Sequence, residues 1–523
     1  MKPFSHAWAK KPSFTIGSEN VFEVSATRPL SVVNTDNRIL ANALRLTITP
    51  KAETWVSPQQ RGFISGRYLL ANVVDIDFEA MRVSLSHSRG VLVLFDFRAA
   101  FPSLAHDYLW KVLEKLGMPP PLIRALRCFY VNNVHTMKLK GRRFPSITSQ
   151  SGIRQGCPLS PLLFAIVVDL FLRRLDTLFP HECTRAFADD IAMVLHNFDS
   201  SADLLMSEFR KFGAISGLHL GMSKTILIPL WTFDERSFKG FLRDTFPAWS
   251  TAQVKTCGKY LGFMLGPGKR DSSWTDVLEK YRSRSVVWSG PPVGLFRATQ
   301  IYKTFVFSVL AFVCQLEEPP EAAILLESIC MRKFAPGPGN WISALDLFHL
   351  QDLFGLPVSF PSIRTYALAS KLRVARFEIG DIHAKSRELT ALLSNTVVKP
   401  VPHDWYERSC IRLLAAAVSQ AEALRVTHAL ITQALKAKTS LSGAKLSAFI
   451  RIHYQKEAYK QLLSKGCDGL DVERRHRHEQ SRWALQAYPG MAARWAASLF
   501  RRLASLVRPR VISSIARTHW NAW

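Results

Sequence analysis

Two adjacent carboxylates interrupt an otherwise apolar run, Phe187-Ala188-Asp189-Asp190-Ile191-Ala192-Met193-Val194-Leu195. Burying unpaired carboxylates is so costly that such a pair sits at a turn, meets cations, or both. The stretch therefore predicts strand character on both sides of Asp189-Asp190. A second apolar run, Val91-Leu92-Val93-Leu94-Phe95, leads to a third carboxylate, Asp96, and reads as a strand covered on both faces. As neighbours in one sheet, the two runs would gather three carboxylates at one end. These repel one another unless multivalent cations neutralise them. Hard oxygen ligands without Cys or His select Mg²⁺ over zinc. Two such ions roughly 3.5–4 Å apart suit in-line phosphoryl transfer to a 3′-hydroxyl with pyrophosphate leaving. Taken alone, an Asp-Asp pair between apolar runs is also an ordinary hairpin turn.

The neighbouring segments narrow the fold class. Residues 28–44 and 60–74 each read as a loop feeding a helix, with Asp36 as a cap for the first. Ser103 can cap a helix running to Gly117, and residues 134–152 alternate around Gly141 as a hairpin. Ser160 at the N-cap and Pro161 at the first position start a helix within 157–175, and 201–216 is helical again. This alternation implies an α+β domain with an antiparallel sheet. Beyond about residue 270 the pattern turns mostly helical, and Thr304–Leu316 reads as a buried helix too short to span a bilayer.

Charge adds a partner class. The 523 residues carry 68 Lys+Arg against 41 Asp+Glu, a net +27, which on a folded chain points to a polyanion, nucleic acid first. From 401 onward cations outnumber carboxylates by 20 to 8. The eight cysteines (128, 157, 183, 257, 314, 330, 410, 467) show no zinc-finger spacing, and Cys467 with His476 and His478 lacks two further ligands. With no signal-peptide pattern, the expectation is an intracellular protein of nucleus or cytoplasm, without membrane association.

Seven blocks, in order, resemble the reverse transcriptases of non-LTR (LINE-like) retrotransposons. They are "RPLSVVNTDNRIL", "QRGFISGR", "FDFRAAFPS", "SGIRQGCPLSPLLFAI", "FADD", "GLHLGMSKT" and "KYLGFML". The resemblance covers about residues 28–265 and continues weakly to about 375. It implies a right-hand polymerase fold: N-terminal extension and fingers over 1–90, palm with fingers insertions and primer-grip hairpin over 91–265, a thumb-like helical region over 266–380, and a basic helical region over 381–523.

The implied activity is RNA-directed DNA polymerisation, with RNA template, DNA or RNA primer, dNTPs and two Mg²⁺ ions, Mn²⁺ being a substitute. By the resemblance Asp96 and Asp189 bridge the metals, Asp190 completes the cluster, and the Phe97 carbonyl adds a ligand. Phe101 would lie beneath the incoming sugar and exclude a 2′-hydroxyl. Gln155 would reach nucleotide or template, Lys224 would face the triphosphate, and Arg67 would grip it, with Arg61 as the competing choice. Tyr260, Leu261 and Gly262 would form the primer grip. The chain departs from the family at Gly221, where asparagine is usual, and at Pro102, where aspartate is commoner. Neither endonuclease type of complete LINE-like elements is recognisable, so cleavage activity is not expected. The rival readings are an inactive or co-opted nucleic-acid-binding protein with a polymerase fold, and a splicing maturase.

Overall fold

The computed structural model describes residues 4–9, 14–16, 19–21, 27–131, 134–139, 142–290, 293–336, 342, 344–351, 358–376 and 381–422. Gly141, residues 494–510, Cys467, His476, His478 and most of the basic tail lie outside the described residues. The chain divides into two units, Met1–Arg270 with Arg387–Ser409, and Asp271–Ser386 with the chain from Cys410.

The first unit opens with four strands: β1 (Phe4–Ala9), β2 (Phe14–Ile16), β3 (Glu19–Val21) and β4 (Thr27–Val32). The loop expected from residue 28 is thus in fact strand, because β1 provides it with an antiparallel partner. β4 forms an edge of its sheet, where Pro29 is tolerated. Asn34 takes the N-cap of α1 (Thr35–Trp55), and Asp36 sits in its first turn rather than capping it. α2 (Leu69–Ser86) and β5 (Val91–Phe95) follow.

After β5 come α3 (Ala100–Ser103), α4 (His106–Lys115) and α5 (Pro120–Cys128). Ser103 ends α3 instead of capping the next helix. Its N–H donates to Ala99 O (3.0 Å) and its hydroxyl to Arg98 O (3.3 Å), while Ala105 N–H donates to Ser216 O (2.8 Å). β6 (Val134–Leu139) and β7 (Arg142–Thr148) form the expected hairpin and join the first sheet in the order β4-β1-β6-β7. α6 (Ser160–Leu178) begins at Ser160 with Leu159 at its N-cap, one residue from the expected start.

The remaining elements are β8 (Cys183–Phe187), β9 (Asp190–Leu195), α7 (Phe198–Ser216), β10 (Ile226–Pro229), α8 (Glu235–Thr245), β11 (Gln253–Val254), β12 (Gly258–Tyr260) and β13 (Phe263–Leu265). A five-stranded sheet runs in the order β11-β10-β5-β9-β8. Every residue of central β5 is buried, as expected for a strand covered on both faces. Val91, Val93 and Phe95 join the core shared with α6 and α7, where the Phe95 ring centroid lies 4.5 Å from that of Phe209. Along the outer side of β8 the loop before α2 runs parallel. Arg61 N–H donates to Ala186 O and Ala186 N–H to Gln59 O, both at 2.8 Å.

The second unit packs Trp274, Tyr281, Tyr302, Phe307, Leu310 and Phe334 into its own core. Its helices include Ser272–Trp288, Leu295–Ile301, Glu321–Arg332 and Ile363–Ala375. The single helix expected over Thr304–Leu316 is broken into a π-helical turn at Tyr302–Val306 and 3₁₀ turns at Phe307–Val309 and Val313–Gln315. Its β-branched and aromatic side chains are poor helix formers, and the Ser308 hydroxyl donates back to Thr304 O (2.7 Å), a bond that bends helices. Among the described residues no helix is long and apolar enough to cross a membrane.

Candidate active site

Strand register sets where the three aspartates emerge. β5 pairs antiparallel with β9, Phe95 opposite Ile191, so Asp96 and Asp190 leave the two central strands at the same end. β8 and β9 close through Phe187 opposite Asp190, leaving Ala188 and Asp189 as a two-residue turn. Ala188 adopts the left-handed backbone that such a turn demands, φ +58. Asp189 is half-buried and Asp190 exposed.

Around Asp96 the returning chain is tight. Gly221 N–H donates to Asp96 O (2.7 Å) and Arg98 N–H to His219 O (2.9 Å). A β-carbon at Gly221 would lie 3.0 Å from Asp96 Oδ2 and 3.2 Å from its carbonyl oxygen, so the glycine keeps this approach open. The Asp96 side chain as a whole is 44% exposed, with Lys224 Nζ 3.8 Å from Oδ2, yet Oδ2 itself is covered and accepts no hydrogen bond. An oxygen-only donor set with an unsatisfied carboxylate oxygen fits a hard divalent cation. Among the described residues, however, no three Asp, Glu, His or Cys side chains converge as a metal-holding group. The three aspartates share one end of the sheet.

The acidic turn rests on a polar layer. Gln60, fully buried, accepts from Ala188 N–H (2.9 Å) and Gly62 N–H (2.8 Å) through Oε1, and its Nε2 donates to Ala188 O (3.3 Å). Arg61 donates to Asp75 (2.7 Å) and Asn72 (3.1 Å), and Arg185 donates to the same Asp75 oxygen (2.9 Å). Asn72 in turn donates to the Tyr260 hydroxyl (3.4 Å), which donates to Arg185 O (3.3 Å). Burial holds the Tyr260 phenol far above its ordinary pKa, and the nearby Asp190 charge adds to this. The Tyr260 ring is therefore inside, beneath the acidic turn, while Leu261 (φ +47) and Gly262 (φ +92) form the β12–β13 turn.

Arg67 lies elsewhere in this layer. Its guanidinium donates to the carbonyls of Ser57, Gln60, Val56 and Glu53, closing the C-terminal end of α1 and the loop after it. Burial lowers its pKa.

A second cluster flanks α3. The half-buried Phe101 ring stacks on Phe164, centroids 4.8 Å apart and 11° from parallel, and Phe101 O accepts from Ile153 N–H (2.8 Å). Two residues on, Gln155 Oε1 is buried and accepts no hydrogen bond. The Phe97 ring packs against Phe209 and Phe212, and its backbone is bridged to Leu220. Phe97, Asp96 and Lys224 thus lie around the 217–225 return, and Gln155 lies two residues past Ile153, whose N–H is bonded to Phe101 O. Gln60 is the residue that the sequence alone does not single out, although it stands inside the "QRGFISGR" block.

Over residues 9–265 the sequence matches the family model described as "Reverse transcriptase (RNA-dependent DNA polymerase)". It is 28% identical over 179 residues to the "Transposon TX1 uncharacterized 149 kDa protein" of Xenopus laevis, covering 32% of this chain and 14% of that one. It is 28% identical over 208 residues to the "Retrovirus-related Pol polyprotein from type-2 retrotransposable element R2DM" of Drosophila melanogaster, covering 38% and 19%. A type-1 R2 Pol polyprotein of Popillia japonica is 24% identical over 210 residues, covering 38% and 29%. The matched stretch is thus less than a third of the length of each of these relatives. A solved structure of apo telomerase from Candida Tropicalis aligns with a TM-score of 0.37 and 10% identity, over 86% of this chain and 69% of that one, a likeness too loose to bear on the site.

Proposed function

Since residues 9–265 form a reverse transcriptase domain of the non-LTR retrotransposon kind, we propose that this chain extends a primer 3′-end with dNTPs along an RNA template. The observation that carries the reading is the register of β5, β9 and β8, in which Asp96 and Asp190 leave adjacent strands beside the Asp189 turn. Reverse transcriptases use divalent metal ions; the finer reading is two Mg²⁺, or Mn²⁺ in their stead. When bound, such ions would neutralise the carboxylates, activate the primer hydroxyl and stabilise departing pyrophosphate.

The protein's own part is positioning. Asp96, Asp189 and Asp190 would hold the ions, with the Phe97 carbonyl as a further ligand. Asp96 Oδ2, covered and without a hydrogen-bond donor, is the atom most in need of one. Phe101, supported from behind by Phe164, would present a fixed ring to the sugar and reject a 2′-hydroxyl. The unsatisfied Gln155 Oε1 would accept from nucleotide or template. Lys224, 63% exposed, would neutralise or protonate the leaving group. Arg67 would reach a triphosphate only by exchanging its present carbonyl partners. The Tyr260-Leu261-Gly262 turn would hold the primer through its backbone, its ring being spent beneath. The +27 charge would bind the duplex phosphates with steep salt dependence.

The test is extension of a DNA primer annealed to an RNA template, with dNTPs and Mg²⁺, by the parent chain and by Asp189→Ala. Extension by the parent and none by the variant supports the reading. No extension by the parent across salt and metal conditions overturns it.

A further inference from the structure

We propose that Gln60 is a positioning residue whose buried amide fixes the two peptides flanking Ala188 and thereby aims the Asp189 carboxylate. The inference rests on the reading of Asp189 as a metal-holding carboxylate. Ala188 is 3% exposed, so its N–H and C=O cannot turn to water, and leaving either unpaired would be costly. The Gln60 amide serves both at once, accepting from the N–H at 2.9 Å and donating to the C=O at 3.3 Å. In this it imitates the peptide of a neighbouring strand.

Holding those peptides matters because of the conformation of the residue between them. Ala188 has φ +58, a left-handed backbone that a β-carbon disfavours, and such backbone persists only where its surroundings over-determine it. Of the two peptides that Gln60 holds, the Ala188–Asp189 one, bonded through its C=O, leads directly into Asp189, and the Phe187–Ala188 one, bonded through its N–H, precedes it. Gln60 is itself immobilised: it is fully buried, bridged to Ala186, and bonded back to Gly62 N–H. Gly62 completes the seat, since a β-carbon there would overlap Ala188 N and lie 2.8 Å from Phe187 C. The loop thus rests directly on the turn.

Two substitutions perturb this contact independently. Gln60→Glu keeps the size but replaces the donor to Ala188 O with an acceptor, and Gly62→Ala lifts the loop from the turn. Both are compared with the parent full-length chain in four measurements: Mn²⁺ binding by the EPR signal of the free ion, kcat for single-nucleotide addition, dNTP KM, and primer–template Kd. Melting curves identify which variants are folded. Expected, for either folded variant, is Mn²⁺ binding weakened and kcat lowered on the order of tenfold each, with dNTP KM and primer–template Kd within about twofold. Mn²⁺ binding and kcat matching the parent would overturn the proposal. So would loss of primer–template binding in step with kcat, which marks a merely structural role. A parent that binds Mn²⁺ but never extends a primer, with variants that bind Mn²⁺ more weakly, would retire the polymerase reading and leave this one standing. A parent that binds no Mn²⁺ overturns this one.

Discussion

Raising the pH from 5 to 8 should destabilise the second unit through one side chain, Glu327. It lies on the Glu321–Arg332 helix, is 3% exposed, and accepts from Ile363 N–H at 2.6 Å, at the start of the Ile363–Ala375 helix. Burial pushes its carboxyl up from 4.5 to about 8, against the opposing pull of that hydrogen bond and of Arg364. Below the ordinary value both folded and unfolded chains hold the proton. Between 4.5 and 8 only the unfolded chain releases it, so folding stability falls as pH rises, and above the folded value the loss levels off. At a factor of ten in the folding equilibrium per pH unit, the full window is worth about 5 kcal/mol. Glu327→Gln keeps an acceptor for Ile363 and cannot ionise. Hydrogen exchange of peptides spanning 363–375, followed from pH 5 to 8 and corrected for intrinsic exchange, should show protection falling in the parent relative to this variant by several kcal/mol. Parallel profiles for the two proteins, or a parent that gains protection with pH, would refute the reasoning.

Asp75→Asn leaves Arg61 and Arg185 facing each other without their shared carboxylate and should cost about 3 kcal/mol in urea unfolding. Phe101→Ala should raise rNTP incorporation relative to dNTP, read from single-nucleotide extension, and lower stability by about 2 kcal/mol through loss of the stack on Phe164. Gly221→Asn, which restores the side chain usual in this family, should lower kcat on the order of a hundredfold by crowding Asp96. An unaltered kcat would show that Asp96 has room to move.

The parts of the fold that local pattern dictates were legible. Val91–Phe95, apolar throughout, is buried throughout, and the charge pair inside an apolar run marks the turn that Phe187 and Asp190 close. What the sequence hid depends on distant partners. Gln60 reads as a polar loop residue because the peptide it serves is 128 positions away. Arg67 reads as a cation awaiting an anion, yet its partners are carbonyls, which any residue carries and no sequence pattern advertises. The helix start expected at Ser103 failed for a like reason, since Ser216, at the end of α7, takes up Ala105 instead.

The lining of β8 by residues 59–61 also bears on how safely this sheet can be left in a crowded solution. Strand margins with open amides invite other chains to add on. Here one margin is capped by the protein's own loop, and the opposite one, β11, is two residues long. A few extra residues in that loop would uncover a ready template, so clumping during expression is the hazard to watch in loop-insertion variants.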